Sequence, residues 1–343
     1  MEIKLLKTEE SVGRIICHDI TRIEKGTFKG AAFKKGHCIR EEDIPVLLDL
    51  GKNHIYALEL DAGELHEDEA GQRVVTAVQG SGLEAKGPSE GRFNLVAAGR
   101  GLLKIDVTRL NRINEISDVI VSTLHSGVHV EKGESVAAVK VVPLVVPDAL
   151  VRRVEVVCAG EKIISILPYH NHRIGLVITG REVAEGRIKD GFAPVLFEKC
   201  RFYGLAEPAV RYAVDDAALI AGEINALLND GCTFVIVTGG MSVDPDDVTP
   251  AAIRQTGAVL VKYGAPVLPG AMFLLAYKDD IPVIGLPACA MYYRTTVLDV
   301  IMPRLLAGEK VTAADIGNLG HGGLCRACEI CRFPHCSFGK GGF

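Results

Sequence analysis

From Arg173 to about Leu306, short apolar runs alternate with amphipathic stretches in a regular order. Ile174–Thr179 is a short apolar run that ends at Gly180, as expected of a buried strand in a parallel sheet. The pattern predicts a helix around Phe192–Cys200, a strand near Ala209–Val214 and a helix over Asp215–Asn229. That last helix places Leu219, Ile220, Ile224, Leu227 and Leu228 on one face, opens on acids and stops at Gly231. Phe234–Val237 reads as a second buried strand running straight into Thr238-Gly239-Gly240. A helix then starts at Thr249, with Pro250 in the first turn, where its missing N–H costs nothing. Strands follow at Ala258–Tyr263, Met272–Tyr277 and Val283–Gly285, and a helix from about Tyr292 to Leu306, whose last turn Pro303 should kink or shorten. The alternation predicts a three-layer α/β/α sandwich around a mostly parallel sheet.

Residues 1–168 are patterned differently. Residues 1–60 mix strand-like runs with a helix over Glu41–Leu50, stopped by Gly51. Residues 61–92 are first acidic and then rich in Gly, Ser and Pro, and read as loops or a boundary around at most one short element. Residues 93–168 carry apolar runs at Val119–Thr123, Val136–Val146 and Lys162–Leu167, punctuated by Gly127, Gly133 and Pro147. The expected organisation is an α+β accessory region over 1–92, a β-rich accessory domain over 93–168, the α/β domain over 169–310 and a cysteine-rich tail over 311–343.

Composition narrows the function classes. A formal charge of −5, a pI near 6.1 and the absence of Trp argue against nucleic acid as partner. No apolar run has the length to cross a bilayer, and MEIKLLKTEE lacks a signal peptide's apolar core. Of ten cysteines, four crowd into the tail and the rest are scattered. That distribution fits a reducing compartment and one metal site better than a disulfide framework, so the expected location is cytoplasmic.

The stretch Thr238–Ile253, TGGMSVDPDDVTPAAI, carries the main candidate chemistry. A strand feeding a glycine turn and then a helix suits an anion, because glycines let backbone N–H groups approach phosphate oxygens. In an open α/β sheet such a loop lies outside the carboxyl ends of the strands, where ligands bind. Asp244, Asp246 and Asp247 would repel a phosphate unless a cation mediates, and Mg²⁺ takes carboxylates together with phosphate oxygens. The same aspartates, and Asp215 and Asp216 at the start of the earlier helix, also suit plain helix capping.

This stretch resembles the signature of the molybdopterin-binding family, the fold shared by molybdopterin adenylyltransferases and molybdopterin molybdotransferases. Ile174–Gly180 resembles that family's first strand, Val214-Asp215-Asp216 its acidic helix entry, and Val267–Met272 its Pro-Gly strand around Pro269 and Gly270. Gly285-Leu286-Pro287 resembles its closing loop. The resemblance covers residues 169–310, under half the chain. It implies that Thr238, Gly239, Gly240 and Ser242 hold the phosphate end of molybdopterin, with Asp246, Pro269, Gly270, Gly285 and Pro287 among the cofactor-binding positions. It further implies catalytic roles for Asp247 and Asp215 through Mg²⁺ and a nucleotide. Ala288-Cys289-Ala290 departs from the family, which has Gly-Asn or Gly-Gln and Pro there. Val12–Ile20 bears a fainter likeness to the opening of the molybdotransferase accessory domains. The resemblance implies a role in molybdenum cofactor biosynthesis, by adenylyl or molybdenum transfer, with a non-catalytic carrier or sensor as the alternative. Its macromolecular partners would be a second copy or other cofactor-assembly proteins.

Cys325, Cys328, Cys331 and Cys336 have a spacing that can surround one zinc ion or an iron–sulfur cluster. Glycines at 317, 320, 322 and 323 suggest a flexible tether for them. His125 with His129, and His170 with His172, read as ordinary strand, surface or linker residues. No P-loop, nucleophile-elbow or zincin motif is present.

Overall fold

The computed structural model describes residues 2–24, 28–89, 91–242, 244–245 and 247–341. The chain forms two compact units: residues 1–98, 106–123 and 133–165, and residues 99–105, 124–132 and 166–343.

In the first unit an antiparallel sheet orders Glu2–Lys7, His54–Glu59 and Ile15–Ile16, beside a hairpin of Ile20–Glu24 and Phe28–Phe33. Ile16, Ile20, Phe33, Leu47 and Ile55 make the core of this part, with Leu47 supplied by the expected helix, Asp43–Asp49. A second sheet orders Val119–Thr123, Ser135–Val141, Arg92–Ala97 and Leu83–Ser89. The stretch read as loops is therefore ordered. Glu67–Val78 is a helix whose first turn holds the acids Glu67, Asp68 and Glu69, and which buries Ala70, Val74, Val75 and Val78. Acids favour a helix N-terminus, so the charge cluster marked a start rather than a loop. The helices Val107–Asn114 and Asp148–Val157 add to what looked β-rich, and the run Val136–Val146 splits between two strands, Ser135–Val141 and Val145–Pro147.

The second unit is built on a six-stranded sheet. We label its strands β1 (Ile174–Thr179), β2 (Ala209–Ala213), β3 (Phe234–Thr238), β4 (Val259–Tyr263), β5 (Leu274–Lys278) and β6 (Ile281–Leu286). Their order is β2-β1-β3-β6-β5-β4, with β2, β1, β3 and β6 parallel and β5 running antiparallel to both of its neighbours, β6 and β4. Alternate strand residues serve two cores. Ile174, Leu176, Ile236 and Ile284 meet the helices α1 (Phe192–Phe202) and, further on, Val297–Leu306. Val177, Val235, Val237 and Val283 meet α2 (Ala217–Asn229) and α3 (Thr249–Gln255). Helices on both faces make the three layers that the strand–helix alternation predicts.

The last expected helix is two pieces. A short turn, α4 (Cys289–Tyr292), precedes α5 (Val297–Leu306), which Thr296 and Asp299 open with a reciprocal capping box. Pro303 lies inside α5 without ending it. The tail glycines are not a tether either. Gly317 lies in a capped helix, α6 (Ala313–Asn318), and Gly323 accepts a backbone bond from Leu268 at 2.8 Å. No helix among the described residues is long and apolar enough to cross a membrane.

Charge pairing ties down the end of α5. Arg304, only 9% exposed, donates to Glu309 at 2.6 Å and Asp315 at 3.1 Å, and Lys104 donates to Glu309 at 2.5 Å. Burial pushes the Glu309 carboxyl up, but the bonds from Lys104 and Arg304 outweigh it and hold it below its ordinary range. Asp315 is likewise lowered overall, burial being outweighed by Thr312 and Arg304. A depressed carboxylate stabilises the fold fully above its unfolded pKa and loses that contribution as pH falls through the folded one. Thermal stability should therefore drop as pH falls below the ordinary carboxylate range. Glu309→Gln should be less stable at neutral pH and show a shallower acid slope; parallel slopes in a pH series of melts would refute this assignment.

Candidate functional site

The ends of the four parallel strands converge on the glycine loop. β1 and β3 are parallel neighbours, and the order in which successive strands are added switches between them, β2 lying to one side of β1 and β3 to the other. This is the point at which α/β sheets open a crevice for ligands. Leu286 pairs with Thr238 in register, and its carbonyl accepts from Gly239 N at 3.3 Å. A Cβ on Gly285 would come 2.6 Å from Met241 Sδ, so Gly285 lies directly against the loop. On the other side Gly180 N donates to Ala213 O, and Arg181 N donates to Asp215 Oδ2 at 3.1 Å.

The loop itself is locked from beneath and left unsaturated above. Thr179 Oγ1 donates to Thr238 O at 2.8 Å, Thr249 Oγ1 donates to Gly239 O at 2.9 Å and Thr249 N donates to Gly240 O. Gly239 and Gly240 have φ of +84° and +55°, which glycine adopts readily. A Cβ on Gly239 would sit 2.6 Å from Thr179 Oγ1, so the packing demands glycine as well. Thr238 Oγ1 is fully buried and has no hydrogen-bond partner. Among the described residues, the amides of Gly240, Met241 and Ser242 also donate to nothing. A buried donor without a partner, as at Thr238, is uncommon and asks for an explanation. Successive free amides after a positive-φ turn, here on the half-buried Gly240, the buried Met241 and the exposed Ser242, are the make-up of an anion cradle.

The acids divide. Asp216 accepts from Ala218 N and Leu219 N and is the cap of α2. Asp215, which the resemblance singled out, instead faces the backbone of Arg181 beside the β1 end. Asp247 Oδ2 accepts from Asp244 N at 3.1 Å, closing a turn just before α3. Asp246 lies outside the described residues. Among those residues no group of three or more His, Cys, Asp and Glu side chains stands ready for a metal ion.

Pro269 and Gly270 do not join this loop. Pro269 O accepts from Val297 N at 3.2 Å, and a Cβ on Gly270 would come 2.5 Å from Val297 Cγ1, so both pack against the start of α5. Pro287 follows β6 directly, its carbonyl accepting from Ala290 N. Cys289 is half-buried, and burial pushes its thiol up, against a backbone bond that lowers it. Tyr263, which the sequence reading passed over, donates its hydroxyl to Met241 O at 2.6 Å. Burial and the nearby charge of Asp247 raise its phenol, with Arg254 opposing. Only its place at the end of β4 hinted at this role. Thr179 likewise hid its role as the final residue of an apolar run.

The four tail cysteines line one pocket of about 550 Å³ together with Tyr292 and Tyr293. Cys331 Sγ lies 3.2 Å from Thr295 Oγ1. Cys325 and Cys336 pack against the core of the second unit. Outside the loop and the tail, His129 is a buried strand residue bonded to the Tyr169 hydroxyl at 2.8 Å, and His125 is exposed.

Residues 175–307 match the family described as "Probable molybdopterin binding domain", and residues 5–59 match a domain of unknown function. The molybdopterin molybdenumtransferase of Synechococcus elongatus is 24% identical over 144 residues, 39% of this chain and 36% of that protein. A CinA-like protein of Syntrophus aciditrophicus is 36% identical over 83 residues, 24% of this chain and 20% of that one. The chain thus spans about a third or less of the length of these relatives. Among solved structures, the molybdopterin biosynthesis enzyme MoaB of Thermus thermophilus is 17% identical with a TM-score of 0.34, covering 40% of this chain and 98% of its own. The protein CinA of Thermoplasma acidophilum is 19% identical with a TM-score of 0.33, covering 39% and 98%.

Proposed function

We propose that this chain, whose residues 175–307 match the family of probable molybdopterin binding domains, binds molybdopterin, or its adenylylated form, by its phosphate end at Thr238–Ser242 and acts in molybdenum cofactor biosynthesis. The observation that carries the reading is the unpartnered, fully buried hydroxyl of Thr238 at the root of a loop whose amides from Gly240 to Ser242 donate to nothing among the described residues. A phosphate seated on the loop is the kind of acceptor these donors lack, and charge-assisted bonds of this kind are the strong ones. Gly285 and Pro287 border the same end of the sheet. The roles of Pro269 and Gly270 are then indirect, through the seating of α5.

Asp247 and Asp215 are the residues that would hold Mg²⁺, in company with phosphate oxygens, because Mg²⁺ favours one or two carboxylates plus substrate phosphates over an all-protein cage. Bound there, Mg²⁺ would screen the acids from the phosphate and neutralise charge on a transferring nucleotide or oxyanion. Asp247 keeps its turn through Oδ2, and Tyr263 braces the loop from the opposite side, so the carboxylate is presented on a fixed backbone.

A second reading, a non-catalytic cofactor carrier or sensor, draws on Ala288-Cys289-Ala290. Ala288 caps the short α4 with no side-chain bond, and the raised thiol of Cys289 supplies no thiolate. In either reading the tail cysteines bind one metal centre, zinc or an iron–sulfur cluster, their shared pocket being the support.

Thr238→Val tests the assignment, since it removes the orphan hydroxyl at nearly constant volume. The free protein should be as stable as before or gain about 1 kcal/mol, because an unpaired buried polar group is costly. Molybdopterin affinity should fall roughly ten-fold or more, the loss of one hydrogen bond to a charged group. Undiminished affinity in titration calorimetry would remove the phosphate from this loop.

A further inference from the structure

Large apolar side chains stand exposed around the pocket of the second unit that the tail segment lines. Tyr292, Leu324 and Ile330 are 79%, 72% and 75% exposed, and with the half-exposed Tyr293 they line the same cavity of about 550 Å³. Leu268, also half-exposed, joins them. It forms a parallel bridge with Leu324, and its carbonyl accepts from Cys325 N at 2.8 Å. Single exposed apolar residues are ordinary, but a contiguous group around a concavity marks an interaction site.

The polar groups of this surface are almost all donors. Arg294, Arg326 and Arg332 line the pocket against a single acid, Glu329, and none of the three has an ion pair among the described residues. From Arg326 to Phe333 the backbone amides donate to nothing among the described residues, and this stretch has no helix or strand in which to use them. Guanidinium groups and amides only donate, whereas ionised carboxylates only accept. A chain of formal charge −5 thus presents here a locally positive surface short of acceptors.

These features select the occupant. A metal ion on the cysteines would use neither the arginines nor the exposed apolar side chains. An inorganic anion would answer the arginines and leave Tyr292, Leu324 and Ile330 in water. A bilayer receives apolar side chains that project into it, whereas these surround a cavity that can itself take one. Aromatic and arginine side chains around an apolar recess are the make-up of a protein interface.

We propose that this surface docks an extended acidic segment of a partner protein. An apolar side chain of that segment fills the pocket, and its carboxylates meet Arg294, Arg326 and Arg332. The free amides of Arg326–Phe333 add the main-chain bonds on which recognition of extended peptides relies. The proposal stands on the rim alone and is independent of the molybdopterin reading.

A short fluorescein-labelled peptide alternating Glu with Leu and Phe, titrated with the full-length chain and followed by polarisation, should bind saturably. Binding should weaken as salt rises, because the charges involved are exposed. The same peptide with Lys in place of every Glu should bind at least about ten-fold more weakly. Arg326→Glu with Arg332→Glu should lower affinity for the Glu peptide at least about ten-fold, and so should Leu324→Ser with Ile330→Ser. Both variants should melt with the parent chain, since all four side chains are exposed. Failure of the Glu peptide to bind, equal binding of the two peptides, or an affinity that neither variant lowers would overturn the proposal. Binding to phosphatidylserine vesicles but not to the peptide would overturn it in favour of a membrane. A dimer in sedimentation that the same variants dissociate would overturn it in favour of a second copy.

Discussion

Lys199→Met should destabilise the second unit by about 3–5 kcal/mol, the usual result of leaving a buried charge without its partner. Lys199 Nζ donates to Asp299 Oδ1 at 2.5 Å and to Arg294 O at 2.9 Å, and the two side chains of the pair are each only 10% exposed. Asp299 also accepts from Thr296 N at 2.7 Å as part of the box that opens α5. One lysine therefore secures the charged cap of α5 and the chain between the end of β6 and the tail pocket. Urea denaturation measures the loss. Replacing both partners, as Lys199→Met with Asp299→Leu, should recover most of it, short of about 1 kcal/mol for the lost cap. A loss below about 1 kcal/mol in the single variant would show that water reaches the pair and that the site is not held this way.

Asp247→Asn should separate charge from geometry at the loop. An asparagine oxygen can still accept from Asp244 N, so the turn before α3 survives and stability should shift by no more than about 0.5 kcal/mol. If Asp247 supports Mg²⁺, the Mg²⁺-dependent part of ligand binding or turnover should fall at least about ten-fold, since a hard cation needs the full carboxylate charge. The comparison to make is affinity with and without Mg²⁺ in both proteins. Equal losses of stability and of binding would assign Asp247 to capping alone.

Much of this protein could be read locally. The buried strands β1 and β3, the apolar face of α2 with Asp216 as its cap, and Pro250 in the first turn of α3 all follow from spacing and cap chemistry within a few residues. The glycine pair after β3 likewise announced a turn at a strand's carboxyl end, and the turn is there with both residues at positive φ. Where local signals were misread, the error was also local. Acids at 67–69 open a helix that buries every third or fourth residue, a period masked by the neighbouring Gly and Ser.

What the tertiary structure alone decided is which distant groups meet. Thr179, Thr249 and Tyr263 lock one loop from three separate elements. Pro269 and Gly270 pack against Val297 at the start of α5, well further along the chain, a contact their motif does not announce. The tail glycines are packed and capped where their composition suggested a tether. The physical reason is common to all three. Periodicity and capping are set by neighbours along the chain, so the sequence by itself determined elements, turns and the position of an anion-binding loop. Partnership across a sheet edge or between layers depends on strand order and on the competition of every side chain for the same space, and that is settled only when the layers close.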